Sequence, residues 1–281
     1  MDLFNVYKRW NIEPVYGKGS HLWDAGGQEY LDLYGGHAVI SIGHCHPHYV
    51  EAVKAQLDKL GFYSNAVRSG LQEALAEKLG QVSGYPDAHL FLCNSGAEAN
   101  ENALKLASFH TGRSKVLAFG GAFHGRTSGA VSVTDNPKIR APFNATPNVT
   151  FVPLGEVEAT ERELSTETYA AVIIEGIQGE GGITPADPEY LAGLRKLCTE
   201  RNILLMMDEV QCGYYRSGSF CSFQEILRDH PEGKTFLPDV FSMAKGIASG
   251  FPMGAFWVRK PYADRLGPGS HATTFGGTPL A

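Results

Sequence analysis

Six short apolar runs, "HLFLC", "KVLAF", "NVTFV", "AAVII", "NILLMM" and "DVFSM", constrain this chain more than any other feature. None of them alternates apolar with polar residues. A strand with one wet face alternates, whereas a strand covered on both faces reads as a continuous apolar run. Between the runs lie glycine-containing turns and helical or irregular segments. The pattern predicts an α/β fold with a mostly parallel central sheet and helices on both faces. A helix expected over 188–201 fits this scheme. Asp187 can cap it, Pro188 occupies its first position, and Leu191, Leu194, Leu197 and Cys198 share an inward face.

Upstream, "HLWDAGGQEYLDLYGG" alternates around the turn Ala25-Gly26-Gly27 and reads as a strand-rich entry segment. Two amphipathic helices are expected next. Val50, Val53, Leu57 and Leu60 share a face that stops at Gly61, and Leu71, Leu75 and Leu79 mark the second.

Charge and cysteine usage narrow the class. A net charge of −6 with no Lys/Arg tract argues against a nucleic-acid partner. No apolar stretch approaches the ~20 residues of a membrane-spanning helix, and "MDLFNVYKRW" lacks the apolar core of a secretion signal. The five cysteines contain no C-x-x-C pair, so reduced thiols in a cytoplasmic protein are expected, with Cys212 and Cys221 near the surface. His44, His46 and His48 have the look of a metal cluster. They sit in a "GHCHPH" turn that leads into a helix, so no metal is expected there.

Ligands of open α/β sheets bind beyond the carboxyl ends of the strands, and here those ends carry chemistry. "CNSGAEANENALKLA" reads as a strand, a small turn and a helix beginning near Ala97. Free N–H groups at the helix start, a bare Gly96 and the Ser95 hydroxyl can cradle a phosphate. The same residues also describe an ordinary capped helix. Asp208 ends a run expected to be buried on both faces, where an ionised carboxylate needs a cation. That cation is a structural arginine, or the ring nitrogen of a cofactor; a helix cap is the third reading. Lys245 ends another run. Its stem can lie on apolar surface with the head in water, or desolvation can free its amine to attack an aldehyde. Together, a phosphate cradle, a buried acid and a desolvated lysine match the three demands of pyridoxal phosphate. No G-x-G-x-x-G fingerprint supports a dehydrogenase.

From the segment around Ser20 to Ala281 the chain resembles the class III aminotransferases of fold type I, whose architecture is aspartate aminotransferase-like. The likeness rests on "GHCHP", "FLCNSGAEANENALKLA", "AFHGRT", "IIEGIQGEGG", "MMDEVQCG", "AKG" with "GFPMGA", and "TTFGG", in this order. It implies pyridoxal phosphate as cofactor, with Ser95, Gly96 and Ala97 at the phosphate and Phe123 and Val210 on the two faces of the ring. Asp208 would meet the ring nitrogen and Gln211 the phenolic oxygen. Lys245 would hold the aldehyde carbon covalently and later shuttle the proton. Arg126 would grip a substrate carboxylate, although a structural ion pair is the simpler reading of that arginine alone. Glu180 would act as a gating acid and Thr273 would lie beside the substrate. Thr274 would reach the cofactor phosphate of a neighbouring subunit, which implies a homodimer with a shared site. His37 would line the substrate entrance.

The likeness is strongest to members that transfer the amino group of N-acetylornithine or N-succinylornithine to 2-oxoglutarate in arginine biosynthesis. Members acting on ornithine or 4-aminobutyrate, a mutase or lyase on the same fold, and a non-catalytic dimerising remnant are the alternatives. Residues 1–55 would form part of a small domain and 56–281 the large cofactor domain. The C-terminal small domain that the family adds after "TTFGGTPLA" would be absent from this chain, leaving little turnover by these residues alone. Three positions depart from the family pattern: Gly176 replaces a frequent proline, Tyr215 a common glycine and Thr278 a frequent asparagine.

Overall fold

The computed structural model describes residues 1–166 and 168–281. The entry segment folds into a three-stranded antiparallel sheet of β1 (Pro14–Lys18), β2 (His21–Asp24) and β3 (Glu29–Leu31). Asp24 fixes its turn by accepting the N–H groups of Gly26 and Gln28 on Oδ1, both at 2.9 Å.

All six apolar runs become strands of one sheet: β4 (Ala88–Cys93), β5 (Lys115–Phe119), β6 (Val149–Val152), β7 (Tyr169–Glu175), then β10 (Leu204–Asp208) and β11 (Val240–Met243). A small ribbon of β8 (Ile177–Gln178) and β9 (Thr184–Pro185) lies between β7 and β10 in the chain. The seventh strand of the large sheet, β12 (Gly254–Arg259), runs antiparallel between β11 and β4. The order is β4-β12-β11-β10-β7-β5-β6. "GFPMGAFWVR" opens with turn residues, and this hid a strand from the sequence pattern.

Each central strand divides its side chains between two dry layers. Leu117, Phe119, Val172, Ile174, Leu205, Met207 and Phe241 face the helix Pro188–Glu200 through Leu191 and Leu194. Val116, Ala118, Ala171, Ile173, Leu204, Met206 and Val240 face Ala99, Ala103 and Leu106 of the helix Gly96–Thr111. Burial of each large apolar side chain stabilises by about 1.5–3 kcal/mol, and it explains why neither face of these runs tolerates polar alternation. Asp187 caps the helix Pro188–Glu200 as expected, accepting the Tyr190 N–H at 3.0 Å. The two upstream helices span Pro47–Leu57 and Gly70–Ser83, and Leu57, Leu60 and Leu71 remain exposed.

Cys212 and Cys221 are buried, contrary to the surface position expected for them. Phe220 and Phe223 insert into the core on either side of Cys221, and the Cys212 thiol turns inward to the Asp208 carbonyl at 3.3 Å. Among the described residues no helix is long and apolar enough to cross a membrane.

Candidate active site

The carboxyl ends of β4, β5, β7, β10 and β11 converge on a cleft of 340 Å³. Its walls include Asn94 to Ala97 after β4, Phe123 to Gly125 after β5, Glu175 at the end of β7 and Asp208 at the end of β10. Lys245 follows β11 and closes the circle.

Ser95 is an N-cap. Its Oγ accepts the Glu98 N–H at 3.2 Å while the Glu98 carboxylate accepts the Ser95 N–H at 3.1 Å. The hydroxyl only accepts in this cap and keeps its own proton to donate, and Ser95 lines the cleft. The first intrahelical bond runs from Ala99 N–H to Ser95 O, so the amides of Gly96 and Ala97 precede it at the positive end of the helix dipole. A Cβ at position 96 would fall 2.7 Å from Val210 Cγ1. Glycine is needed because Val210 packs directly against it.

Asp208 is buried, and its carboxylate has four partners in the protein. Oδ2 lies 2.7 Å from His124 Nδ1 and accepts Asn100 Nδ2 at 2.8 Å. Oδ1 accepts the Val210 N–H at 3.0 Å and the Ser242 hydroxyl at 3.3 Å. Burial pushes this carboxyl upward, but the hydrogen bond and charge of His124, with the Val210 and Asn100 donors, hold it below the ordinary range. Burial also works against the charged imidazole of His124. The Asp208 carboxylate and then Glu175 outweigh it and raise the imidazole. Its Nε2 is buried without a hydrogen-bond partner.

Glu175 accepts the Phe123 N–H on Oε1 at 2.9 Å and the Gly179 N–H on Oε2 at 3.3 Å. Burial, opposed by His124 and reinforced by Asp208, pushes it up to about 7. Lys245 is lowered by burial, against the pull of Asp208, Glu175 and Glu180. Its backbone has φ 49, a left-handed conformation that costs a non-glycine residue about 1–2 kcal/mol. Such strain held in place beside a cleft is a mark of functional sites.

Other expected residues divide. Gln211 lines the cleft so closely over Gly179 that a Cβ there would meet its Oε1 at 1.4 Å. Glu180 stands exposed at the rim. Arg126 is exposed outside the cleft wall, with its guanidinium carbon 6.0 Å from the Phe123 ring centre. Thr273 and Thr274 line a neighbouring pocket of 570 Å³ with Asn65 and Gln72, and the Thr273 hydroxyl accepts Nδ2 of the cleft residue Asn94 at 3.4 Å. His37 borders a different groove, while Val39 reaches the cleft. His44 pairs with Asp32 at 2.7 Å.

Sequence reasoning missed His124, Asn100, Glu175 and Ser242. Glu175 ends "AAVII" as Asp208 ends "NILLMM", so the burial argument applied to both. His124 and Asn100 carry no such signal, because their roles arise only when distant segments meet. The residues present fit pyridoxal phosphate: two free helix-start amides, a bare Gly96 beside Val210, an acid held ionised and a desolvated amine.

The aminotransferase class-III family model matches residues 6–281. An acetylornithine aminotransferase of Methanopyrus kandleri is 43% identical over 278 residues, 99% of this chain and 69% of that protein. One of Halalkalibacterium halodurans is 42% identical over 281 residues, 99% of this chain and 70% of that protein. The ornithine aminotransferase of Toxoplasma gondii, solved with pyridoxal phosphate at partial occupancy in its active site, superposes with a TM-score of 0.87 at 32% identity. That match covers 98% of this chain but 66% of the solved one, just under two thirds of its length. The chain belongs to the class III aminotransferases, and pyridoxal phosphate is its cofactor.

Proposed function

We propose that this chain forms the cofactor-binding part of an aminotransferase that moves the amino group of N-acetylornithine or N-succinylornithine to 2-oxoglutarate. The observation that carries the reading is the conjunction of Lys245, desolvated in a left-handed turn, with Asp208, kept ionised by His124 and Asn100 in the same cleft. The names borne by relatives at 42–43% identity support the substrate class.

When bound, the cofactor supplies an aldehyde for amine capture and a ring that takes up electrons from a substrate carbon. The residues of the chain do the rest. Gly96 and Ala97 offer amides to the phosphate. Val210 and Phe123 would pack on the two faces of the ring. Asp208, itself fixed by His124, favours a protonated ring nitrogen. Lys245, its amine made easier to deprotonate by burial, would be the residue that holds the cofactor covalently and would serve as the acid and base that moves a proton on its Nζ. Glu180, exposed at the rim, would act as the gating acid, pairing with an arginine when no second carboxylate is bound. We further assign Arg126 to a substrate carboxylate, Thr273 to a place beside the substrate, and Thr274 to the cofactor phosphate of the neighbouring subunit in a homodimer. Residues 1–55 belong to a small domain in this reading, and the protein works in the cytoplasm.

The test is a donor panel with 2-oxoglutarate as acceptor, joined to borohydride reduction and peptide mapping. Acylated ornithines should outperform ornithine and 4-aminobutyrate, and the phosphopyridoxyl label should sit on Lys245. Free ammonia or an isomer of the donor as the product would replace transamination by lyase or mutase chemistry. Label on another side chain would remove the reading altogether.

A further inference from the structure

Gly176 joins β7 to β8 beside the cleft. A Cβ at this position would fall 2.2 Å from Ser222 Oγ and 3.2 Å from both Ser222 Cβ and Ile226 Cδ1. No side chain fits while Ser222 stays where it is, and Ser222 is not free to move. It is completely buried, its hydroxyl donates to Glu209 Oε1 at 2.8 Å, and its N–H donates to Glu209 Oε2 at 2.7 Å. Glu209 is 1% exposed, so a carboxylate deprived of these donors would be left with a large desolvation penalty.

Glu209 sits between two residues of the cofactor cleft, Asp208 and Val210, with Gln211 next along. Its own N–H donates to Ser242 O at 3.2 Å, and its carbonyl accepts the Gly213 N–H at 3.0 Å. Its side chain thus ties this turn to the first residue of the helix Ser222–Ile226, a separate piece of the fold. The tie points away from the cleft, while the residues on either side of it point in.

We infer that Glu209 and Ser222 form a positioning lock for the cofactor cleft, and that position 176 is glycine because the Ser222 hydroxyl of that lock occupies the space of its side chain. The inference rests on the pyridoxal phosphate reading above. It makes Glu209 a positioning residue, acting through Asp208 and Val210.

The experiment is a double-mutant cycle on the cofactor-free protein. Pyridoxal phosphate binding is read from quenching of tryptophan fluorescence, and melting midpoints are recorded in parallel. In the Ser222 background, G176A should weaken binding about tenfold, the scale of one lost hydrogen bond to a charged group. In the S222A background the same change should cost less than about twofold, because the obstructing oxygen is gone. E209Q should bind nearly as wild type, since an amide can accept the Ser222 N–H and donate to its hydroxyl, whereas E209L should lose at least as much as G176A. Equal losses for G176A in both backgrounds overturn the lock. So do melting shifts with unchanged binding, which would make the pair merely structural. If G176A does not fold, equal binding by E209Q and E209L overturns it instead. Absence of binding by wild type defeats the cofactor reading. The G176A/S222A coupling is then read from the melting midpoints alone, and equal shifts overturn the lock.

Discussion

His124 Nδ1 stands 2.7 Å from Asp208 Oδ2, with both side chains closed off from solvent. The pair joins the loop after β5 to the end of β10, two strands that are not neighbours in the sheet. A buried carboxylate depends on such a partner, and removing one member of a buried pair typically costs about 3–5 kcal/mol. H124F should therefore destabilise the protein by about 3 kcal/mol and weaken pyridoxal phosphate binding, while H124N should do less of both. Urea midpoints measure the first effect and fluorescence titration the second. Unchanged stability in H124F would show that Asn100, Val210 and Ser242 suffice.

Acidity offers a second handle. Burial, against the donors of Ser222, pushes Glu209 from 4.5 up to about 7. A folded-state value above the unfolded one means that the folded protein binds more protons in this window. Stability from this group is thus full below the unfolded value and falls as pH rises through about 7. A shift of this size corresponds to something on the order of 3 kcal/mol. The raised Glu175 and His124 act in the same direction. E209Q should flatten the decline in melting midpoint between acid and neutral pH in the cofactor-free protein. An unaltered pH profile would show that Glu209 does not titrate there.

Gln211 leaves no room over Gly179. G179A should force the amide out of the cleft and weaken pyridoxal phosphate binding by about tenfold, roughly one hydrogen bond to a charged group. G179A/Q211A should bind no worse than Q211A alone. A further loss in the double variant would mean that the clash disturbs something other than Gln211.

Tyr215, where the resemblance leads one to expect glycine, has φ 61. The left-handed conformation costs tyrosine about 1–2 kcal/mol, part of which glycine returns through its freer unfolded chain. Y215G should therefore stabilise by about 0.5 kcal/mol despite losing the edge contact with Phe220. Chemical denaturation decides it, and a loss of stability would mean that the aromatic contact outweighs the backbone.

The sheet was legible because burial on both faces writes itself into a run such as "AAVII", and Asp208 and Lys245 were legible because charge at the end of such a run demands a partner. Helix Pro188–Glu200 announced itself by its cap and its proline. β12 was hidden by turn residues at its start, and its reversed direction has no signature in a single strand. Cys221 was misjudged because only the two flanking phenylalanines decide its depth. Thr273 and Thr274 were read from resemblance, and the fold joins Thr273 to the cleft wall through Asn94. His124 and Asn100 became visible only when the segments carrying them met.

The reversed strand has a consequence for how this fold can vary. Lys245 lies on the connection from β11 to β12, and since β12 runs back along β11 with Met243 opposite Ala255, that connection leaves and re-enters the sheet at one rim. It is a noose of fixed circumference around the amine. Residues inserted there would shift the lysine out of reach, whereas the far rim, where β12 ends at Arg259, can absorb new sequence without touching the chemistry.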